Sequence, residues 1–150
     1  MELKDEVVTD APRAVVYAAL NDPDVLRDCI PGCQELTRTS DTELRAKVIL
    51  KVGPVKATFA GDVTLDPEDP PRRFSLAGQG NGGVAGFAKG GAAVTLEEDG
   101  DRTILRYDAR AEIGGKMAQL GSRLVESTAR TLAARFFADF AARVERRTEA

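Results

Sequence analysis

The chain has no histidine among its 150 residues, which removes the commonest general base and the middle member of most nucleophile triads. Soft metal ligands are as scarce. Cys29-Ile30-Pro31-Gly32-Cys33 holds both cysteines, with no third thiol or imidazole to complete a zinc site. Their spacing differs from the C-x-x-C of a redox pair, and two cysteines make no disulfide framework. Small, free thiols in a turn are the expected role. Carboxylate chemistry would rest on Asp108 and Glu112, two pleats apart on one strand face, but Arg106 and Arg110 share that face. Alternating signs describe a solvated, paired surface rather than an acid of raised pKa.

Phosphate chemistry fares no better. Gly78-Gln79-Gly80-Asn81-Gly82-Gly83 fits G-x-G-x-x-G, a pattern that works by bringing a helix N-terminus onto a pyrophosphate. Here the run follows an antiparallel strand and leads through Val84-Ala85-Gly86-Phe87 into another. Lys89-Gly90-Gly91 lacks the spacing of a P-loop. The run's freedom in φ/ψ makes it a candidate gate instead. With Lys+Arg at 21 against Asp+Glu at 24, no basic face for nucleic acid is expected. The arginines at 123, 130, 135, 143, 146 and 147 give the last helix a basic outer side, read as a solvated face that suits the helix dipole near its C-terminus.

The elements that must position any site follow from periodicity. Residues 1–8 read as a strand. Thr9-Asp10 with Pro12, and Asn21-Asp22 with Pro23, are two successive helix starts, the first helix running to Leu20 and the second through Leu26, before Pro31-Gly32. From Gln34 to Ile113 the period is two, giving about six antiparallel strands. Leu44, Ala46, Val48, Leu50 and Val52 share one face; so do Leu105, Tyr107, Ala109, Ala111 and Ile113. Beyond Gly114-Gly115 a single helix of about 30 residues, roughly 45 Å, is expected to run to the end. Its apolar residues Met117, Leu120, Leu124, Leu132, Phe136, Phe140 and Val144 form a ridge that winds round the helix, which calls for a curved sheet to embrace it. The expected class is therefore α+β, one domain over residues 1–150, with a curved antiparallel sheet around the C-terminal helix.

The inward positions of the middle strands are small: Ala46, Ala57, Gly61, Gly78, Gly80, Gly90, Ala92, Ala109 and Ala111, in a chain with no Trp and 6 Phe. Native interiors pack to a density near 0.75, so either the helix lies very close or a hollow remains. An apolar hollow is the expectation, since ligand sites are concave, mostly apolar and pre-formed. Residues 1–10 carry alternating charge without an apolar h-region, and no stretch approaches the roughly 20 apolar residues of a membrane helix. A cytoplasmic location is expected.

Four ordered motifs then carry a resemblance: Asn21-Asp22-Pro23 with Cys29-Ile30-Pro31-Gly32-Cys33; Val52-Gly53-Pro54-Val55-Lys56-Ala57; Gly82-Gly83-Val84-Ala85-Gly86-Phe87-Ala88-Lys89-Gly90; and Gly114-Gly115-Lys116-Met117-Ala118-Gln119-Leu120-Gly121-Ser122-Arg123-Leu124. Together they resemble the CoxG-like family, named for the G-subunit of carbon monoxide dehydrogenase, within the START-like, or SRPBCC, helix-grip superfamily. The resemblance implies a sheet of about seven strands gripping the long helix over a deep hydrophobic cavity. It also implies a non-enzymatic accessory role beside a molybdenum hydroxylase of the carbon monoxide dehydrogenase type. Members with a longer C-terminal tail are associated with recruiting that enzyme to the membrane and with holding a quinone. This sequence stops at Ala150, directly after the helix, without such a tail. Peripheral contact with the inner face of the membrane is the most that is then expected.

Val48, Phe59, Phe74, Leu76, Phe87, Tyr107, Met117, Leu120 and Leu124 are the candidates to line the hollow, with Tyr107 as a polar handle. No intrinsic cofactor or metal is expected; the bound group would be a quinone or other lipophilic ligand. Two further classes compete. One is a cyclase or hydrolase of the same superfamily, which the missing histidine and the lack of convergent inward acids disfavour. The other is an interaction module docking through residues 78–91.

Overall fold

The computed structural model describes residues 1–149, with side chains through Arg146; Arg147, expected on the basic side of the last helix, has its side chain outside the described residues. The chain runs β1 (Glu2–Thr9), α1 (Arg13–Leu20), α2 (Pro23–Cys29), β2 (Cys33–Ser40), β3 (Glu43–Val52), β4 (Val55–Asp69), β5 (Arg73–Asn81), β6 (Phe87–Asp99), β7 (Arg102–Gly114) and α3 (Ser122–Glu149). All strands join one antiparallel sheet in the order β1-β7-β6-β5-β4-β3-β2. Consecutive strands are neighbours from β2 to β7, and β1 closes against β7 because the two short helices carry the chain across. The curved sheet grips α3 as the alternation required.

Between β3 and β4, Val52 pairs with Val55, so Gly53-Pro54 makes the whole turn and Gly53 takes φ +56, a conformation glycine adopts without Cβ strain. β4 reaches Asp69 through a register shift between Asp66 and Asp69.

Two local expectations are corrected. Thr9 and Asp10 do not cap α1: Pro12 holds the N-cap position with no side-chain bond. Thr9 is instead buried opposite Thr103, and the Asp10 N–H donates to Glu145 of α3 at 3.0 Å. Strand pairing has taken the residue that local chemistry assigned to the helix. At α2 the expectation holds, since Asp22 accepts from the Asp24 N–H at 2.9 Å with Pro23 at the first position.

The second correction concerns the last helix. It is not continuous from Gly115: a 3-10 segment, Gly115–Leu120, ends at Gly121, whose φ of +100 breaks the spiral before Ser122. The remaining 28 residues of α3 span about 42 Å. Phe140 and Val144 are fully buried against Val16 and Val25 of the short helices and Leu105 of β7. Phe136 stacks on Phe140 with ring centroids 5.8 Å apart, and Arg143 pairs with Asp28 of α2.

On the convex face the charges interlace. Asp108 meets Lys4 at 3.5 Å, Glu112 meets Lys89 at 3.7 Å, and Arg106 bridges Glu6 at 2.9 Å and Glu97 at 2.5 Å. These exposed pairs are worth about 0–1 kcal/mol each, and Asp108 and Glu112 sit among them as a paired surface. No helix among the described residues is long and apolar enough to cross a membrane.

Candidate functional site

Two plugs of packed side chains stand apart under α3. At one end Phe74, Leu105, Phe140 and Val144 join Val16 and Val25 of the short helices. At the other, Val52, Phe59, Ala85 and Met117 close over one another, with Leu50, Ile113, Leu120 and Val125 packed on them. Between them lies a hollow of about 310 Å³ whose walls all come from β3 to β7. That volume falls at the lower end of the range for small-molecule pockets.

Strand parity builds this hollow. Ala46, Val48 and Leu50 of β3, Phe59, Gly61 and Val63 of β4, Gly78 and Gly80 of β5, Ala88 and Gly90 of β6, and Ala111 of β7 all line it. Gly61 pairs with Gly80 and Gly78 with Gly90, so its middle carries no side chains at all. The glycines are not alike, however. A Cβ at Gly61 would stand 2.1 Å from the Gln79 carbonyl oxygen, and one at Gly90 would stand 2.1 Å from the Arg110 carbonyl oxygen. Those two are demanded by the close approach of neighbouring strands. At Gly80 the nearest atoms would be Ala60 O at 3.6 Å and Phe59 Cβ at 3.8 Å, ordinary contact distances. Gly80 leaves space that the fold does not require.

The nine sequence candidates are distributed over five places. Val48 and Phe59 line the hollow. Phe74 is 2% exposed and packs edge-on against Tyr17 at 5.6 Å, with Leu76 partly buried against the same core. Met117 and Leu120 belong to the plug at the other end. Phe87 and Leu124 do not face the hollow. Alternation turns Ala88 inward and therefore Phe87 out, where its ring crosses Gly114; Leu124 yields the inner helical position to Val125 and lies against Gly53. In both cases one residue of register decided the outcome.

Tyr107 lines a separate groove of about 500 Å³ between edge strand β1 and α3. It stacks on Phe137 with centroids 5.1 Å apart and planes at 17°. Asp5, directly opposite Tyr107 on β1, faces the same groove, as does Arg130 of α3. Burial, and then the Asp5 charge, push the Tyr107 pKa up, with Arg130 partly opposing; its hydroxyl stays a hydrogen-bond donor at neutral pH. Asp5 was missed in the sequence. Its signal was present, because Leu3, Asp5 and Val7 share one parity with Thr9, the residue that turns out buried.

Burial likewise raises the pKa of Cys29, against the Arg143 charge, and that of Cys33, against a backbone hydrogen bond to Glu35. Both thiols are free. The fingerprint-like glycine run contains only a three-residue 3-10 turn, Gly83–Ala85, between β5 and β6, so no helix stands behind it to receive a phosphate.

The architecture is shared with solved structures. A conserved protein from Geobacillus kaustophilus is 25% identical, with 97% of this chain and 96% of that chain covered at a TM-score of 0.90. A START superfamily protein from Mycobacterium smegmatis is 16% identical over 98% and 99% of the two chains at 0.73. The Zhui aromatase/cyclase from Streptomyces sp. R1128 is 17% identical over 98% and 94% at 0.69. These likenesses establish a START-like helix-grip fold. No curated protein sequence matches the chain. The family model for CoxG, the carbon monoxide dehydrogenase G-subunit, matches residues 6–145, nearly the whole domain and all four sequence motifs. The chain belongs to the carbon monoxide dehydrogenase CoxG family.

Proposed function

We propose that this protein is a non-enzymatic carrier whose hollow takes a lipophilic ring or isoprenoid compound, with quinones as the first candidates. It would act in the cytoplasm as an accessory of a molybdenum hydroxylase of the carbon monoxide dehydrogenase type. The observation that carries this reading is the hollow at Gly80, apolar and wider than strand packing requires. Family membership supplies the partner class. A guest excluding water from this wall would gain about 25 cal/mol per Å² of apolar surface covered.

Titration with a lipophilic fluorescent dye, followed by displacement with a soluble quinone analogue, tests it. One displaceable dye per chain is expected. Dye that does not bind, or that no quinone displaces, overturns the reading.

The groove holding Asp5 opposite Tyr107 favours one alternative, an enzyme of the cyclase or hydrolase type. Turnover of a polyketide-like substrate that is lost in Tyr107→Phe would establish it in place of the carrier.

A further inference from the structure

We propose that the groove between β1 and α3 is a second ligand site, separate from the hollow, and that it takes an organic ammonium ion with an apolar body. At about 500 Å³ it is larger than the hollow at about 310 Å³, and the two share no lining residue. The helix leaves the space open. Toward the core α3 carries Phe136, Phe140 and Val144, but toward β1 it presents Ala133, Ala134, Ala138 and Ala141. Leu3 and Val7 stand half-buried on the opposite wall, with Phe137 beside them. An apolar guest lying there covers surface that the protein's own side chains do not.

Charge selects the guest. Three charged residues line the groove, and two are already matched: Lys4 meets Asp108 at 3.5 Å and Arg130 meets Glu126 at 2.8 Å. Asp5 has no cationic partner among the described residues, and its carboxylate accepts the Glu6 N–H at 2.7 Å. One carboxylate is therefore the uncompensated charge of the groove. The strand edge adds acceptors. Met1 and Ala111 exchange both backbone bonds, at 3.1 and 2.9 Å, so the odd-numbered residues of β1 bond to β7 and the carbonyls of Glu2, Lys4 and Glu6 point to the other side. No strand lies there.

A primary ammonium brings three donors and no acceptor, which suits a carboxylate flanked by free carbonyls. Tyr107 adds a π system. It stands directly opposite Asp5, and such cross-strand neighbours hold their Cβ atoms about 5 Å apart, so a cation on Asp5 comes within the roughly 6 Å over which an aromatic ring attracts it. A carboxylate guest would be repelled by Asp5, and a neutral one would leave that charge unmatched. The site owes nothing to the carrier reading, because neither its apolar walls nor its charge belongs to the hollow.

Calorimetric titration of the full chain with phenethylamine, and with phenylpropionate as the anion of matching shape, tests the proposal. One amine per chain is expected, held less tightly as salt rises, with no binding of the acid. The backbone amide NMR signals of Asp5, Tyr107 and Ala134 should move on titration. Asp5→Asn, at an exposed position, should weaken the amine about tenfold, the lower end for a hydrogen bond to a charged group. Ala138→Leu, also at an exposed position, should fill the groove and block the amine. Gly80→Leu alters the hollow alone and should bind the amine as the wild type does. Absent binding, equal binding of the acid, or Asp5→Asn and Ala138→Leu variants that keep the wild-type affinity would overturn it. So would loss of the amine in Gly80→Leu, which would place the guest in the hollow. Dye titration reports separately on the carrier reading: protein that takes the amine but never the dye loses that reading and keeps this site, and protein that takes the dye but never the amine does the reverse.

Discussion

Leucine at position 80 should make the protein more stable while closing it to guests. A Cβ there meets Ala60 O at 3.6 Å and Phe59 Cβ at 3.8 Å, so the first carbon fits without displacement. Replacing glycine where the backbone already suits an ordinary residue gains about 0.4–1 kcal/mol from the unfolded chain. Three further carbons would each gain about 0.8 kcal/mol if fully buried. With half that value in an open hollow, Gly80→Leu should stabilise by about 2 kcal/mol, or about 4–8 °C in Tm for a chain of this length. Gly61→Ala supplies the contrast. Its Cβ would stand 2.1 Å from Gln79 O and 2.7 Å from the Gly80 Cα, and forcing the strands apart should cost about 1–3 kcal/mol. Thermal melts read both signs and dye titration reads the closure. If Gly80→Leu destabilises while dye binding persists, the hollow is not where the geometry places it and the reasoning fails.

Three other outcomes follow from the same packing. Phe140→Ala, at a site with 0% exposure beneath the stacked Phe136 ring, should cost about 3–5 kcal/mol by urea denaturation; a loss under 1 kcal/mol would mean that α3 is not anchored there. Burial raises the Cys29 and Cys33 thiols above their ordinary 9.0 and the tyrosines at 17 and 107 above 10.0. Below those ordinary values both folded and unfolded chains hold the protons, so stability is unaffected. As pH rises past them the unfolded chain ionises first, so stability should fall through the alkaline range. Urea midpoints should show a gentler alkaline slope in a variant with both cysteines changed to alanine, and an unchanged slope would refute the assignment. Gly86→Ala, with its Cβ 1.9 Å from Gly114 O at φ +114, should destabilise the barrel end, as thermal melting would reveal by a lowered Tm.

Architecture was legible where a residue's neighbours in sequence are also its structural determinants. β3 falls at Glu43–Val52 with the expected face inward, and Asp22-Pro23 starts α2 as local capping chemistry dictates. Thr9 misled because its oxygen could serve a cap, yet pairing with Thr103 across β1 and β7 joins residues far apart in sequence. The single helix expected beyond Gly114-Gly115 is interrupted at Gly121, whose positive φ separates the Gly115–Leu120 segment from α3.

The hollow was inferred from small inward residues, but half the reason for them was different. Gly61 and Gly90 answer to the backbone of the adjacent strand, which no composition argument distinguishes from Gly80. The candidate lining shows the same limit. Val48 and Phe59 follow from strand parity, whereas Phe87 and Leu124 lie one register step from the inner face, beside Ala88 and Val125. Asp5 went unnoticed because β1 is an edge strand whose partner, β7, lies at the far end of the sequence.

The most direct test of the carrier proposal is native mass spectrometry of the protein isolated from its own cells, paired with extraction and identification of whatever accompanies it. The account predicts a mass increment matching one lipophilic molecule per chain, lost in Gly80→Leu. Protein that is empty even after saturation with quinones, while Gly80→Leu behaves as the wild type, would contradict it.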